Sequence, residues 1–232
     1  MKKMIFYALQ YTWLIAGLFT VGAAVVLLVQ AHLGPTPWDV LHLGLTKYLP
    51  FSLGKIMIGM GMLLVALSWV LGVKPFTGSV LNMLLIGVFV DLIMQWGWFP
   101  VPTEIVFRVM YLVAGIIVFG LGTGIYMSAN LGSGPRDSLM VALHQITGWR
   151  IGLVRTLLEV TVVTLGFLMG GLLGLGTLIF SLTIGWTAEF FLTTFKKISQ
   201  QQIFQKAINN LLQRQTECGA GGAINEECRM KN

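Results

Sequence analysis

Two oppositely charged side chains, Arg155 and Glu159, lie four residues apart within a long apolar stretch of the sequence. Residues at this spacing share one face of an α-helix, so a guanidinium and a carboxylate would lie side by side. Charged groups within an apolar segment are costly and typically mark a site that binds protons, ions or polar solutes. A structural ion pair that fixes helix packing is the alternative interpretation. Both interpretations make this pair the first candidate for chemistry.

A second candidate is the motif Leu-Gly-x-x-Pro-x-Asp-x-Leu, which occurs at residues 33–41 and again at 131–139. Its glycine and proline break the backbone, and its acid falls where a new helix would begin. Free amides at a helix N-terminus attract anions, so one interpretation is a solute pathway and the other is a capped interfacial loop. The candidate backbone positions are Gly34, Pro37, Gly132, Gly134 and Pro135, and the candidate side chains are Asp39, Arg136 and Asp137.

Two further acids, Asp91 and Glu189, lie near the ends of apolar runs and are separated by 98 residues, like the two motifs. We expect each acid either to face the pathway or to cap a helix. The three histidines, His32, His42 and His144, share no metal-ligand spacing, so we expect them to be polar interface residues and predict no metal site. The sequence also lacks a nucleotide-binding loop and a nucleophile–base pattern. We therefore expect neither a cofactor nor enzymatic activity.

The elements that must position these residues are membrane helices. Of the 232 residues, 56% are hydrophobic and only 10% are charged, whereas soluble domains carry about 25% charged residues. About 20 apolar residues suffice to cross roughly 30 Å of hydrocarbon. We predict an all-α membrane protein with six transmembrane helices, at residues 8–30, 53–72, 78–97, 106–128, 151–171 and 175–195.

The two halves of the chain align without gaps at an offset of 98 residues, which indicates an internal duplication. Each half then contains three spans and one short helix after the motif, at about residues 38–49 and 136–145. Such a helix reaches only about 18 Å, so it is either interfacial or re-entrant. Three spans per half predict a 3+3 inverted repeat, as in many secondary transporters. A fourth full span per half would instead make the repeats parallel.

The basic residues predict the orientation of the chain. If both termini are cytoplasmic, only Lys47, Lys55 and Arg108 of the 15 Lys and Arg residues fall outside, as the positive-inside rule expects. The net charge of +6 is then a topology signal, and we expect no nucleic-acid partner. The inverted orientation would place Asp39 and Asp137 on opposite sides of the membrane.

We divide the chain into four parts. Residues 1–97 and 98–195 form the two three-helix membrane repeats. The apolar residues of 196–215 recur with a helical period, which favours a cytoplasmic amphipathic helix on the inner leaflet; binding of a cytoplasmic partner is the alternative. Residues 216–232 are polar and glycine-rich, and we expect a disordered tail.

The motif regions resemble the YczE/YyaS/YitT family of bacterial integral membrane proteins, and the YczE branch in particular. The resemblance covers about residues 5–195 and implies a multi-pass protein of the bacterial cytoplasmic membrane, from a family whose biochemical role is largely uncharacterised. The residues that carry it include Leu33-Gly34, Pro37-Trp38-Asp39, Gly132-Ser133-Gly134-Pro135-Arg136-Asp137, Val154-Arg155 and Glu159.

Two functions from different classes are consistent with these features. We expect a small secondary transporter or permease for a small solute, with an anionic solute as the first candidate because of Arg136 and the helix starts. The alternative is a non-transporting membrane scaffold that supports an enzyme system. The expected partners are the lipid bilayer and the solute, together with a second copy of the chain or a cytoplasmic protein bound through the C-terminal helix.

Overall fold

The chain folds into helices, as its long apolar runs predict. A computed structural model describes residues 2–129, 131–132 and 134–196. The predicted amphipathic helix, apart from Lys196, and the predicted tail lie outside the described residues. The helices are α1 (Lys2–Gln30), α2 (Pro37–Leu45), α3 (Leu53–Val70), α4 (Thr77–Trp96), α5 (Ile105–Ser128), α6 (Pro135–Thr147), α7 (Ile151–Leu168) and α8 (Leu175–Lys196).

Six of these helices are long and apolar enough to cross a membrane, which confirms the six predicted spans: α1, α3, α4, α5, α7 and α8. The fifth span ends at Leu168 rather than at residue 171, because the chain turns at Gly170, whose φ is 78°. The helices α2 and α6 have 9 and 13 residues. At 1.5 Å per residue, neither is long enough to span the bilayer.

The two short helices begin at the proline of each motif copy. Thr36 precedes α2, and its hydroxyl accepts a hydrogen bond from the Asp39 amide at 3.2 Å, as expected of an N-cap threonine. The second short helix, α6, begins at Pro135 and ends at Thr147, followed by the C-cap residue Gly148, whose φ is 70°. Proline fits the first helical position because its missing N–H has no helical partner there.

The helices α1 and α5 pack closely along each other. A Cβ placed on Gly17 would lie 2.6 Å from the Tyr126 amide nitrogen, and one on Gly122 would lie 2.8 Å from the Val21 nitrogen. Glycine is required at both positions because the two backbones come this close, a common arrangement between membrane helices.

Contacts in one half recur in the other half at the 98-residue offset. The Gly78 amide, in α4, donates to the Leu131 carbonyl at 2.9 Å, and the Gly176 amide, in α8, donates to the Leu33 carbonyl at 2.7 Å. Each motif is therefore bonded to the first turn of a long helix that belongs to the other half.

The first glycine of each motif makes this contact with the other half possible. Gly34 has a φ of 111° and Gly132 a φ of 124°, values that side chains with a Cβ rarely adopt. A Cβ on Gly34 would also lie 2.7 Å from the Thr177 hydroxyl oxygen, and one on Gly132 would lie 2.5 Å from the Phe76 Cβ. Both conformation and space exclude larger residues.

The short helices pack on the other half as well, since α2 lies against α7 and α6 lies against α3. One apolar cluster joins all four helices. Its buried members are Trp38, Leu41, Leu64, Leu139 and Val162. Leu41 and Leu139 are equivalent positions, as are Leu64 and Val162, so each half contributes the same positions to the centre of the cluster.

Candidate functional site

The helices α2 and α6 begin next to each other. The Arg136 guanidinium, at the start of α6, lies over the Trp38 ring, at the start of α2, with Cζ 5.0 Å from the ring centroid. One Arg136 nitrogen lies 4.0 Å from a carboxylate oxygen of Asp39. The expectation that Asp39 and Asp137 lie on opposite sides is therefore wrong. Because both short helices pack on the same apolar cluster, their N-termini meet.

Asp39 is a fully buried carboxylate with three polar neighbours. The Thr36 hydroxyl donates to Oδ2 at 2.6 Å, and His42 Nδ1 lies 3.0 Å from Oδ1. Burial alone would raise the pKa of Asp39, but the hydrogen bond with His42, together with the charge of Arg136 and the hydrogen bond from Thr36, holds that pKa below its usual value. Asp39 therefore remains ionised, as a buried charge does when it is paired.

His42 is a buried partner of Asp39 rather than the polar interface residue expected from the sequence. It is only 2% exposed, and burial is the main reason that its pKa is lowered, although Asp39 opposes the shift. A neutral imidazole donates Nδ1–H to the carboxylate, because an ionised carboxylate is an acceptor only. The signal was present in the sequence, since residues three apart in a helix are neighbours.

Asp137 differs from its equivalent Asp39. Burial raises the pKa of Asp137, while the charges of Arg155 and Arg136 and a hydrogen bond from the Gly134 backbone oppose the rise. Asp137 thus takes up a proton more readily than its equivalent Asp39, whose pKa is lowered. Arg136, whose side chain is 34% exposed, stays charged because a guanidinium does not lose its proton in proteins.

Arg155 and Glu159 form the ion pair that their spacing predicts. Arg155 Nε donates to Glu159 Oε1 at 3.1 Å. The Arg155 side chain is 52% exposed and that of Glu159 is 28% exposed, and both line an internal cavity. Part of the accessible surface of these two side chains therefore faces this internal cavity.

A cavity of about 300 Å³ lies where these groups meet. Since one water takes up about 30 Å³ of liquid, the space is large enough for several waters or a small solute. Its lining combines methionines with polar and charged side chains. The lining includes Met57, Met60, Met83, Thr36, Trp38, His42, Asn82, Thr123, Tyr126, Arg136, Asp137, Arg155 and Glu159.

Some polar groups of this cavity were not singled out as site residues in the sequence. The Thr123 hydroxyl is buried and has no hydrogen-bond partner among the described residues. Tyr126 and Asn82 line the same cavity. A buried polar atom without a partner marks a place for a water or a ligand atom. Nothing local in the sequence distinguishes Thr123 from the other threonines.

Asp91 and Glu189 lie away from the cavity lining. Asp91 accepts a hydrogen bond from the Gly54 amide at 2.8 Å and another from the Ser52 hydroxyl, so it caps the start of α3. Glu189 is exposed on α8 beside Trp186. The structure thus brings five of the seven predicted site side chains together and leaves these two elsewhere. In the described part of the chain, no group of three or more His, Cys or acidic residues could hold a metal ion.

Comparison with known proteins shows what the chain is similar to. Residues 8–193 match the model of a family of unknown function, DUF6198. An uncharacterized protein of Haemophilus influenzae is 36% identical over 177 residues, 74% of this chain and 78% of the relative. The uncharacterized membrane protein YczE of Bacillus subtilis is 35% identical over 78% of this chain and 85% of its own length. The uncharacterized protein YyaS of the same organism is 24% identical over 74% and 86%. No solved structure matches the chain.

Proposed function

This multi-pass membrane protein belongs to the DUF6198 family, whose function is unknown, and we propose that it is a small secondary transporter or permease. The observation that carries the proposal is the cavity at the meeting point of α2 and α6, lined by two guanidiniums and two carboxylates. Charges are rare within the membrane region and concentrate along substrate and ion pathways. A scaffold would need no such cavity.

We propose that the membrane region is a 3+3 inverted repeat of residues 1–97 and 98–195. The reciprocal bonds from Gly78 to Leu131 and from Gly176 to Leu33 support it, because a two-fold axis makes each contact occur twice. Secondary transporters place their solute site at the interface of such repeats, which is where the cavity lies. The proposal includes cytoplasmic termini and the bacterial cytoplasmic membrane, in line with the distribution of basic residues.

The proposed solute is small and carries an anionic group. Arg136 and Arg155 each have a carboxylate beside them, at 4.0 Å from Asp39 and at 3.1 Å from Glu159. An anion would compete with these carboxylates for the two guanidiniums, which suit carboxylate and phosphate groups. Uptake of a proton by Asp137 would remove one negative charge from the cavity and favour the anion. Proton and anion would then move together.

A thermal-shift screen of the purified full-length protein tests this function. The probes are small carboxylates, phosphate and sulfate, with uncharged and cationic compounds of similar size as comparisons. We expect one anion class to raise the melting temperature and Arg155→Gln to abolish the rise. Arg108→Gln is the matched control, because Arg108 bonds the Pro102 carbonyl at 3.1 Å and does not line the cavity. A rise that survives Arg155→Gln, or no rise with any anion, would contradict the proposal.

A further inference from the structure

The two halves differ at a place where their sequences match. Gly54 in α3 faces Gly87 in α4, and a Cβ on Gly87 would lie 2.5 Å from the Gly54 carbonyl oxygen. The equivalent positions in the second half are Gly152 in α7 and Gly185 in α8. Outside the adjoining residues and backbone of its own helix, no described atom lies within 4 Å of a Cβ placed on either of them. The helices are in contact at this level in the first half and apart in the second.

The acids near these glycines differ in the same way. Asp91 holds the Gly54 amide at 2.8 Å and also accepts from Ser52. Its equivalent, Glu189, has no hydrogen bond or ion pair within the described ranges, and Arg150, the equivalent of Ser52, makes no side-chain cap at the start of α7. Arg150 and Glu189 thus occupy the positions equivalent to Ser52 and Asp91, which are hydrogen-bonded to each other in the first half.

The space between α7 and α8 reaches the cavity. Arg155 and Glu159 line it from α7, and Gly185 and Ala188 line it from α8. Glycine within a helix is destabilising relative to alanine. Nothing described packs against Gly152 or Gly185, so this conformation supplies no packing reason for either glycine. A conformation in which the helices approach each other would supply one.

We propose that α7 and α8 close on each other at Gly152 and Gly185, and that an ion pair between Arg150 and Glu189 holds the closed state. The inference rests on the proposed transport function and specifies its conformational change. The described structure is the state closed between α3 and α4 and open between α7 and α8. In an inverted repeat the two gates lie at opposite membrane faces, and cytoplasmic termini place the open gate on the cytoplasmic side.

Disulfide trapping tests the gate without any solute. The full-length protein carries Cys218→Ser and Cys228→Ser, and the test pair is Arg150→Cys with Glu189→Cys. The control pair is Arg150→Cys with Phe190→Cys, because Phe190 lies at the same depth but about 100° around the helix. We expect the test pair to form a disulfide at least about tenfold faster, since a disulfide needs Cα atoms within roughly 7 Å. Equal rates for the two pairs would overturn the proposal.

A glycine substitution provides the second arm. Gly185→Leu fits the open state, so we expect an unchanged melting temperature but at least about fivefold less disulfide, because the added side chain blocks close packing. Gly87→Leu is the matched variant, and it should lower the melting temperature because the Gly54 carbonyl occupies its space. Disulfide formation that is insensitive to Gly185→Leu would contradict the gate. If the test pair forms the disulfide but the protein transports no solute, the result supports the gate and contradicts only the proposed transport function.

Discussion

Arg136 and Trp38 occupy the same position in the two copies of the motif, and the Arg136 guanidinium lies over the Trp38 ring at 5.0 Å. In the proposed inverted repeat, a residue that contacts its own equivalent lies close to the two-fold axis. Two arginines at this place would repel each other, since like charges at short range are unfavourable. The pairing of Arg136 with the Trp38 ring avoids this repulsion, so this pair of equivalent positions contributes one cation, Arg136, to the cavity lining.

Gly34→Ala should lower the free energy of unfolding by about 2–4 kcal/mol. Alanine is strained at the positive φ of this position, and its Cβ would clash with Thr177. Gly72→Ala is the matched variant, because Gly72 has a φ of 98° and nothing described within 4 Å of an added Cβ. Its loss should be limited to about 1–2 kcal/mol of backbone strain. Chemical unfolding in detergent measures both. Equal losses would mean that the contact between the motif and α8 does not stabilise the fold.

The buried imidazole of His42 should make stability depend on pH. Its folded-state pKa is lowered, so the unfolded chain binds the proton more readily and stability falls as pH decreases below the ordinary value of 6.5. The slope approaches about 1.4 kcal/mol per pH unit for one proton. Asp39 and Arg136 are the charged groups that face the ring.

Melting temperatures between pH 7.5 and 5 (about the range in which histidine titrates) measure this slope. His42→Gln should flatten it, since the amide cannot be protonated. His144→Gln is the matched control and should leave the slope intact, because the His144 side chain is only partly buried, whereas that of His42 is buried. The same slope in His42→Gln as in the wild type would rule out His42 as its source.

Asp91 and Glu189 should respond differently to loss of charge. Asp91→Asn weakens the acceptor for the Gly54 amide and the Ser52 hydroxyl, and we expect a loss of about 1–2 kcal/mol, as for other helix caps. Glu189→Gln should change stability by less than about 0.5 kcal/mol, as at other exposed positions. Unfolding of the two variants side by side is the measurement, and a larger loss for Glu189→Gln would contradict the open gate.

Binding of the anion should strengthen as pH decreases. The pKa of Asp137 is raised above the ordinary value of 3.8, so the carboxyl group takes up a proton, and the cavity loses a negative charge, as pH falls through that raised value. Isothermal titration at several pH values measures the affinity. Asp137→Asn should bind with little dependence on pH and at least as tightly as the wild type at its lowest pH. A variant that keeps the full pH dependence would exclude Asp137 as the proton site.

The helices and their ends could be predicted from the sequence because they depend on local features. Span length follows from apolar runs, and the starts of α2 and α6 follow from Pro37 and Pro135. The Arg155–Glu159 pair was also predictable, because both residues belong to one helix. Each of these features needs no knowledge of what packs against the helix.

The meeting of Asp39 with Arg136 could not be predicted, because it depends on packing between distant segments. Each short helix packs against a long helix of the other half, and this packing brings the first residues of α2 and α6 together. Likewise Asp91 and Glu189 have equivalent positions in the sequence, but the neighbouring helix touches Gly54 and not Gly152. Equivalent residues therefore acquire different surroundings.

Uptake of labelled small anions into proteoliposomes, under an inward proton gradient, tests the solute pathway most directly. The comparison includes wild type, Glu159→Gln, Glu104→Gln at the start of α5 outside the cavity, and a chain ending at Lys196. We predict uptake by the wild type, the Glu104 variant and the shortened chain, and a loss of more than about tenfold, equivalent to 1.4 kcal/mol, in Glu159→Gln. No uptake of any anion by the wild type, or undiminished uptake by Glu159→Gln, would contradict a pathway through this cavity.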